Sequence, residues 1–183
     1  MKLFSLFRES PDEVASQKIY REAVRQARSE SFYRDLGVPD TAEGRFELIA
    51  LHVFLILHRL KRNASSGIMG QALFDLMFAD MDQNLREMGV GDLRVGKKVK
   101  SMAESFYGRI AAYEAGLGGE NAPFAEALKR NIYQQAQPSQ SQLDLLIDYI
   151  RRETSALASL SDESLAAGNG SFGPPPSADG EGK

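Results

Sequence analysis

Apolar residues recur along most of this chain at every third or fourth position, which is the pattern of an amphipathic α-helix. No stretch shows the strict alternation of apolar and polar residues that is typical of a strand. The pattern therefore predicts an all-α fold class, with a single compact multi-helix domain. The predicted helices begin at Ser10, at Asp40-Thr41, near Gln71, between Asp92 and Lys97, at Asn121 and after Pro138.

The stretch from Phe46 to Leu60 predicts the central helix of the core. Its apolar residues occupy two opposite faces, one formed by Phe46, Ile49, Val53, Leu57 and Leu60 and the other by Leu48, Leu51 and Leu55. A helix that is apolar nearly all round is buried on most sides. At the predicted start of this helix, Asp40 and Glu43 have the spacing of a capping box.

Composition divides the chain into three segments. From Leu160 onward the sequence is rich in Ser, Gly, Pro and acidic residues, and it includes Gly173-Pro174-Pro175-Pro176. Such a segment does not bury enough apolar surface to order itself. We therefore expect a flexible N-terminus at residues 1–9, a helical domain at residues 10–160 and a disordered tail at residues 161–183.

The amino-acid composition and the net charge exclude several classes of protein. Of the 183 residues, 43% are hydrophobic and 26% are charged, which are values of a globular chain. A net charge of −3 argues against a globally basic protein that binds DNA. The absence of cysteine excludes a disulfide framework, a thiolate metal site and a cysteine nucleophile.

The longest apolar run, from Leu48 to Leu57, has only about half the length that a membrane span needs. The N-terminus lacks the apolar core of a signal peptide, so we expect a cytoplasmic protein. Its apolar residues leave two interpretations open, a frayed terminus or contact with a membrane surface. They are Leu3, Phe4, Leu6 and Phe7, flanked by Lys2 and Arg8.

The charge of the chain reverses within the stretch from Phe74 to Tyr113. This stretch predicts an acidic helix that ends at Gly89 and Gly91, followed by a basic helix. The segment from Gly91 to Lys98 matches the spacing of a phosphate loop up to its lysine. However, Lys98 stands where that loop needs Ser or Thr, and a helix precedes the segment instead of a strand. We therefore expect no phosphate loop here.

Four carboxylates of the acidic helix, Asp75, Asp80, Asp82 and Glu87, form a candidate metal site. At about 100° per residue, Asp75 and Asp82 share one edge of the helix, whereas Asp80 and Glu87 lie on the other. An apolar stripe separates the two edges, so these side chains do not converge on one ion. We expect a solvated acidic rim, in which Asp82 pairs with Arg86 four residues later.

Only two histidines, His52 and His58, are present, and their spacing of six residues does not place them on one face as zinc ligands. His52 lies in the apolar core helix, where a hydrogen-bonded core histidine is expected. No set of residues predicts catalysis, so we expect a protein that is not an enzyme and that uses no cofactor and no metal.

The basic helix presents cations to solvent near its N-terminus. Val95, Val99, Met102, Phe106, Ile110 and Tyr113 are predicted to face the core. Arg94, Lys97 and Lys100 then point outward, where the helix dipole disfavours positive charge. Two explanations stay open: the cations face the preceding acidic helix, or they bind an anionic partner such as RNA or lipid headgroups.

The opposite side of the basic helix carries small residues, which allow another helix to approach closely. We expect a helix of this protein as that neighbour, with a helix of a bound protein as the alternative. The small residues are Gly108, Ala111, Ala112 and Ala115.

Several ordered motifs resemble the ubiquinol–cytochrome c chaperone family. Between about Val14 and Ile150, the segments that carry the resemblance are FYRDLGVPDT at 32–41, GRFELI at 44–49, LFDLMFADMD at 73–82, LREMGVGD at 85–92, VGKKVK at 95–100 and FYGR at 106–109. The resemblance implies an all-helical, non-enzymatic chaperone for assembly of respiratory complex III. It also implies binding of newly made cytochrome b, together with a small partner protein and contacts at the ribosome or the membrane surface.

We expect no extension for targeting to an organelle, which makes the chain similar to the bacterial members and predicts a location in the cytoplasm, at the inner face of the membrane. We expect the partner to bind at the corner between the acidic and basic helices. The predicted residues are Arg94, Lys97, Lys98, Lys100, Asp75, Asp80, Asp82 and Met88. The alternative is a peripheral membrane or RNA-binding module that uses the basic residues at 94–100.

Overall fold

The computed structural model describes residues 10–63 and 66–177, and within these ranges it contains helices and no strands. The predicted all-α class is confirmed. The N-terminus at residues 1–9, for which we expect flexibility with membrane contact as the alternative, lies outside the described ranges. The helices are α1 (Pro11–Ala27), α2 (Glu30–Arg34), α3 (Ala42–Leu60), α4 (Gly67–Glu87), α5 (Asp92–Gly118), α6 (Asn121–Leu128) with a π-helical continuation (Lys129–Tyr133), α7 (Gln140–Ser159) and α8 (Asp162–Ala166).

Helix α3 is the centre of the core, as its two apolar faces predict. Of its 19 residues, 14 are buried, because α1, α4, α5 and α7 all pack against it. Leu48 and Leu51 from one face and Val53 from the other are completely shielded from solvent. Since every side of α3 has a neighbour, the remaining helices are arranged around it.

The start of α3 differs in one detail from the prediction. Thr41, not Asp40, caps the helix, and its hydroxyl accepts a hydrogen bond from the Gly44 amide at 3.1 Å. The Asp40 carboxylate instead accepts from the Arg45 guanidinium at 2.7 Å. Glycine is needed at position 44, because a Cβ atom there would lie 2.0 Å from the carbonyl oxygen of Pro39.

The C-terminal segment is ordered well beyond residue 160, so the predicted disorder of residues 161–177 is wrong. Helix α8 buries Leu165, and the following strap (residues 167–177) buries Phe172 beside His52, with 4.8 Å between their ring centroids. The Gly173 amide donates to the Glu153 carboxylate at 2.8 Å. This segment has too few apolar residues to fold alone, but it fits a groove that the core supplies. Residues 178–183 lie outside the described residues.

Among the described residues, no helix packs against the small residues of α5 where we expected one. Gly108, Ala111 and Ala115 are exposed, and a Cβ atom added to Gly108 would have no atom of the described residues within 4 Å. The close approach occurs at Gly116, where a Cβ atom would lie 2.2 Å from the ring of Phe124. Helix α6 therefore packs against the end of α5, and the middle of the small face is open.

This difference predicts opposite effects for two glycine substitutions in one helix. Gly108→Ala should raise the free energy of unfolding by about 0.5–1 kcal/mol, because alanine has a higher helix propensity than glycine at an exposed position inside a helix. Gly116→Ala should lower it by about 1–3 kcal/mol, because the added methyl group overpacks the contact with Phe124. Urea denaturation measures both, with each variant serving as the other's control. Equal shifts of the two midpoints would contradict this packing.

Candidate interaction surface at the turn between α4 and α5

The corner (residues 86–100) is a tight and well-defined turn. Gly89 has a φ angle of 79°, which closes α4, and the Val90 amide donates back to the Leu85 carbonyl oxygen at 3.0 Å. Arg86 donates to Asp82 and to Asp92, both at 2.5 Å, so one guanidinium joins the end of α4 to the start of α5. The predicted pair of Asp82 and Arg86 is confirmed.

Helix α5 already begins at Asp92, so the segment that matches the spacing of a phosphate loop is helical. A phosphate loop presents its backbone amides to a nucleotide from an irregular turn. In α5 the amides beyond the first turn are used in the helix itself. The structure therefore agrees with the sequence argument against a phosphate loop at Gly91–Lys98.

The four predicted cations, Arg94, Lys97, Lys98 and Lys100, are all exposed. Lys100 lies 4.0 Å from Glu104 of its own helix. For the other three, no ion pair within 4.0 Å is found in the part of the chain that the structure describes. Within the described residues, these cations therefore form no direct ion pair with the carboxylates of the acidic helix.

The carboxylates of α4 have other partners instead. Asp75 accepts from Gln71 at 2.8 Å, and Glu87 accepts from Gln83 at 2.9 Å. Asp80 accepts from the Tyr20 hydroxyl of α1 at 2.7 Å, and the pKa of Tyr20 is raised by burial and, to a smaller extent, by this contact. Asp80 thus links two helices, whereas Asp75 lies at the surface and Asp82 pairs with Arg86 of the corner.

The described ranges contain no group of three or more His, Asp or Glu side chains arranged to hold a metal ion.

Two apolar side chains at the corner are exposed to solvent beside these cations. Met88 is 57% exposed, and Leu93, in the first turn of α5, is 90% exposed. Met88 belongs to the predicted set, whereas Leu93 was missed by reasoning from the sequence. The signal was present, because at 100° per residue Leu93 lies nearly opposite the buried Val95 and so cannot belong to the core stripe.

A buried ion pair fixes the middle of α5 to the core helix. Arg109 Nε donates to Glu47 Oε2 at 2.6 Å, and Arg109 Nη2 donates to Glu47 Oε1. The Glu47 residue is only 3% exposed, and burial raises the pKa of its carboxyl while Arg109 opposes that rise. The pair was not predicted, although an acidic residue between Phe46 and Leu48 in an apolar run was the available signal.

His52 is the hydrogen-bonded core histidine that the sequence predicts. Its Nδ1 donates to the Leu48 carbonyl oxygen at 2.7 Å, and its Nε2 accepts from the Tyr149 hydroxyl at 2.8 Å. Gln26 donates to Tyr149 at 3.0 Å and to the Gly173 carbonyl oxygen at 2.9 Å. Burial lowers the pKa of His52 to about 4, so the ring is neutral near pH 7. The network joins α1, α3, α7 and the strap.

Comparison with known proteins assigns this chain to a protein family. The family described as "Ubiquinol-cytochrome C chaperone" matches residues 34–172, which is more than half of the chain. The chain belongs to the ubiquinol-cytochrome c chaperone family. The resemblance drawn from its motifs is confirmed. The family match also reaches Phe172, so it includes α8 and half of the strap that the sequence placed in a disordered tail.

This chaperone-family chain has named relatives in animals and in yeast. It is similar to ubiquinol-cytochrome c reductase complex assembly factor 1 of Mus musculus, with 30% identity over 153 residues that cover 83% of this chain and 52% of the relative. Protein CBP3, mitochondrial, of Saccharomyces cerevisiae is 29% identical over 154 residues, covering 79% of this chain and 44% of the relative. This chain thus spans about half the length of these two relatives.

A solved structure extends the comparison to the fold. The crystal structure of the Cbp3 homolog from Brucella abortus has a TM-score of 0.80 and 38% sequence identity to this chaperone-family chain. It covers 90% of this chain, and this chain covers 91% of it. Within residues 10–63 and 66–177, no helix combines the length and the apolar character needed to cross a membrane.

Proposed function

We propose that this chain is a non-enzymatic assembly chaperone that binds newly made cytochrome b and supports assembly of ubiquinol-cytochrome c reductase, respiratory complex III. The observation that carries the proposal is the family match over residues 34–172, with relatives named as assembly factors of that complex. The chain does this by holding its client without a chemical step, in the cytoplasm at the inner face of the membrane.

The corner is the proposed surface for the client. It offers Met88 and Leu93 as exposed apolar contacts and four cations at positions 94–100, three of which are free of ion pairs within the described residues. Arg94 lies in the first turn of α5, where the helix dipole makes a cation unfavourable by a few tenths of a kcal/mol. Placing charge against local stability is characteristic of a residue that serves a partner.

The acidic residues contribute unequally to this proposed surface. Asp75 and Asp82 form its rim along α4, whereas Asp80 acts indirectly, because its carboxylate is held by Tyr20 and Asn84. Substitution of Asp80 therefore changes the packing of α1 on α4 before it changes any contact with a client. A small partner protein and the ribosome are further proposed contacts, on surfaces that the corner does not define.

Deletion of the gene is expected to lower both complex III and spectrally detected cytochrome b several-fold, while the transcripts stay at their normal level. The physical reason is that a membrane subunit without its chaperone is degraded or aggregates before assembly. The measurements are reduced-minus-oxidised spectra of membranes, immunoblots of complex III subunits and transcript quantification. Unchanged complex III in the deletion strain would contradict the proposed function.

Complementation of the deletion strain tests the corner separately. The test variant changes the four cations of the corner to Glu: Arg94, Lys97, Lys98 and Lys100. The matched control changes to Glu four exposed arginines that are distant in sequence from the corner: Arg21, Arg28, Arg62 and Arg130. Both variants change the net charge by the same amount. The control should restore complex III, and the corner variant should not; crosslinking of cytochrome b to wild type but not to the corner variant would locate the client.

A further inference from the structure

We infer that the corner docks on an anionic phospholipid surface, with Leu93 and Met88 entering the headgroup layer and Arg94, Lys97, Lys98 and Lys100 binding lipid phosphates. This inference rests on the proposed function only in placing the chain at a membrane. The lipid surface and the client would use the same residues in turn, so the inference adds a partner of defined chemistry to the corner and gives Leu93 a role in membrane contact.

The charge of the corner is opposite to that of the chain. Residues 86–100 contain five cationic and two carboxylate side chains, a net charge of +3, whereas the whole chain carries −3. The two carboxylates are already engaged, since Asp92 accepts from Arg86 and Glu87 accepts from Gln83. Glu104, one turn beyond, lies 4.0 Å from Lys100. The corner therefore presents its positive charge outward, which complements an anionic surface.

The exposed apolar side chains lie at the end of this charged surface. Among the described residues only five large hydrophobic side chains are exposed, and the greatest exposure, 90%, is that of Leu93. Met88 is on the other side of the turn at 57%. A single exposed leucine needs no explanation. Two apolar side chains on one projecting turn, next to four cations, have the composition of a membrane-interface contact.

The spacing along α5 matches the layers of a bilayer surface. With a rise of 1.5 Å per residue, Lys97 follows Leu93 by about 6 Å along the helix axis and Lys100 follows it by about 10 Å. The headgroup layer is about 5–8 Å thick on each side of a bilayer. When the turn points into that layer, Leu93 reaches the edge of the acyl chains while the lysines remain at the level of the phosphates. Their flexible stems allow the ammonium groups to adjust.

The same cations do not make an equally good RNA site. Binding of single-stranded RNA commonly uses aromatic side chains on which bases stack. Residues 86–100 contain no Phe, Tyr or Trp. The apolar residues that are present, Leu93 and Met88, offer no flat ring for stacking but are suited to an acyl boundary. The observations therefore favour lipid over RNA.

Vesicle co-sedimentation tests this inference with the full chain. Wild type should bind vesicles that contain phosphatidylglycerol, should not bind vesicles of phosphatidylcholine alone, and should lose affinity as salt is raised. Reversal of the four cations to Glu should weaken binding on the order of 100-fold or more, since each cation near an anionic surface contributes to the affinity. Leu93→Ser should weaken it roughly tenfold through lost apolar burial. The matched variant with Arg21, Arg28, Arg62 and Arg130 reversed should bind more tightly than the corner variant.

The outcomes separate lipid binding from its rivals and from chaperone function. Full binding by the corner variant, full binding by the Leu93→Ser variant, or binding of an RNA oligonucleotide without binding of vesicles would each overturn the inference. Circular dichroism checks that the surface variants remain folded. If vesicles are not bound but deletion of the gene still lowers complex III, only the lipid inference fails. If vesicles are bound but complex III is unchanged in the deletion strain, only the proposed function fails.

Discussion

Arg109→Met is expected to lower the free energy of unfolding by about 3–5 kcal/mol, because it leaves the Glu47 carboxylate buried without its partner. The Glu47 side chain is only 4% exposed, and that of Arg109 is 16% exposed. Removing the guanidinium abolishes two charge-assisted hydrogen bonds and keeps the desolvation of the carboxylate. Urea denaturation near neutral pH measures the loss.

The pH dependence of the Arg109→Met variant carries a definite sign. Burial raises the pKa of Glu47 and Arg109 opposes that rise, so without Arg109 the folded state binds a proton more readily than the unfolded chain. A group with a raised pKa in the folded state favours folding at low pH and loses that contribution as pH rises. The variant should therefore regain stability relative to wild type as the pH falls through the carboxyl range.

Two further variants make this prediction specific to the buried pair. Glu47→Leu combined with Arg109→Met should recover much of the lost stability, because both charges are removed together. Arg45→Met breaks the exposed pair with Asp40, whose side chains are 60% and 58% exposed. It should cost no more than about 1 kcal/mol. If the Arg109 and Arg45 variants lose equal stability, the Glu47 pair does not have the buried character described above.

The sequence predicted the elements well because helix periodicity and capping are local. The apolar positions on opposite faces of Phe46–Leu60 identified α3 as the centre. Ser10, where the first helix was predicted to begin, caps α1 and forms a capping box with Glu13. These features depend on neighbours within one or two turns. Even the error at Asp40 was only one residue, since Thr41 supplies the cap.

The long-range polar contacts lay beyond this reasoning. Glu47 and Arg109 are 62 residues apart, and His52 and Tyr149 are 97 apart. Periodicity tells which face of a helix is buried but not which side chain meets it there. The prediction for the strap was wrong for a related reason. The strap is ordered because it packs in a groove formed by α1, α3 and α7. Its own composition only shows that it does not fold alone.

The candidate surface was predictable in part. The helical period of α5 correctly predicted that Arg94, Lys97 and Lys100 are exposed to solvent. Val95, Phe106 and Tyr113, which were predicted to face the core, are buried. Whether α4 neutralises those cations depended on the packing angle and on side-chain partners, which spacing does not determine. Leu93 was overlooked because an apolar residue in a first helical turn is commonly assigned to the core. Its angular position shows that it is not.

Acidification from pH 6.5 to pH 4 is expected to lower the free energy of unfolding by about 3 kcal/mol through His52 alone. The pKa of His52 is lowered from 6.5 to about 4 by burial, so the unfolded chain takes up a proton in this range while the folded protein does not. The unfolded state is favoured as the pH falls, and the effect is complete below the folded-state pKa. Urea denaturation at a series of pH values measures it.

Substitution of each histidine isolates this contribution from the carboxylates that titrate in the same range. His52→Gln keeps an amide that donates to the Leu48 carbonyl and accepts from Tyr149, but it removes the titrating ring. Its stability should therefore fall less steeply than that of wild type between pH 6.5 and 4. His58→Gln is the matched control, because His58 lies on the same helix with its side chain 32% exposed. The slope of His52→Gln should be shallower than that of this control; a His52→Gln profile parallel to wild type would mean that the Tyr149–His52–Leu48 network does not keep the ring unprotonated.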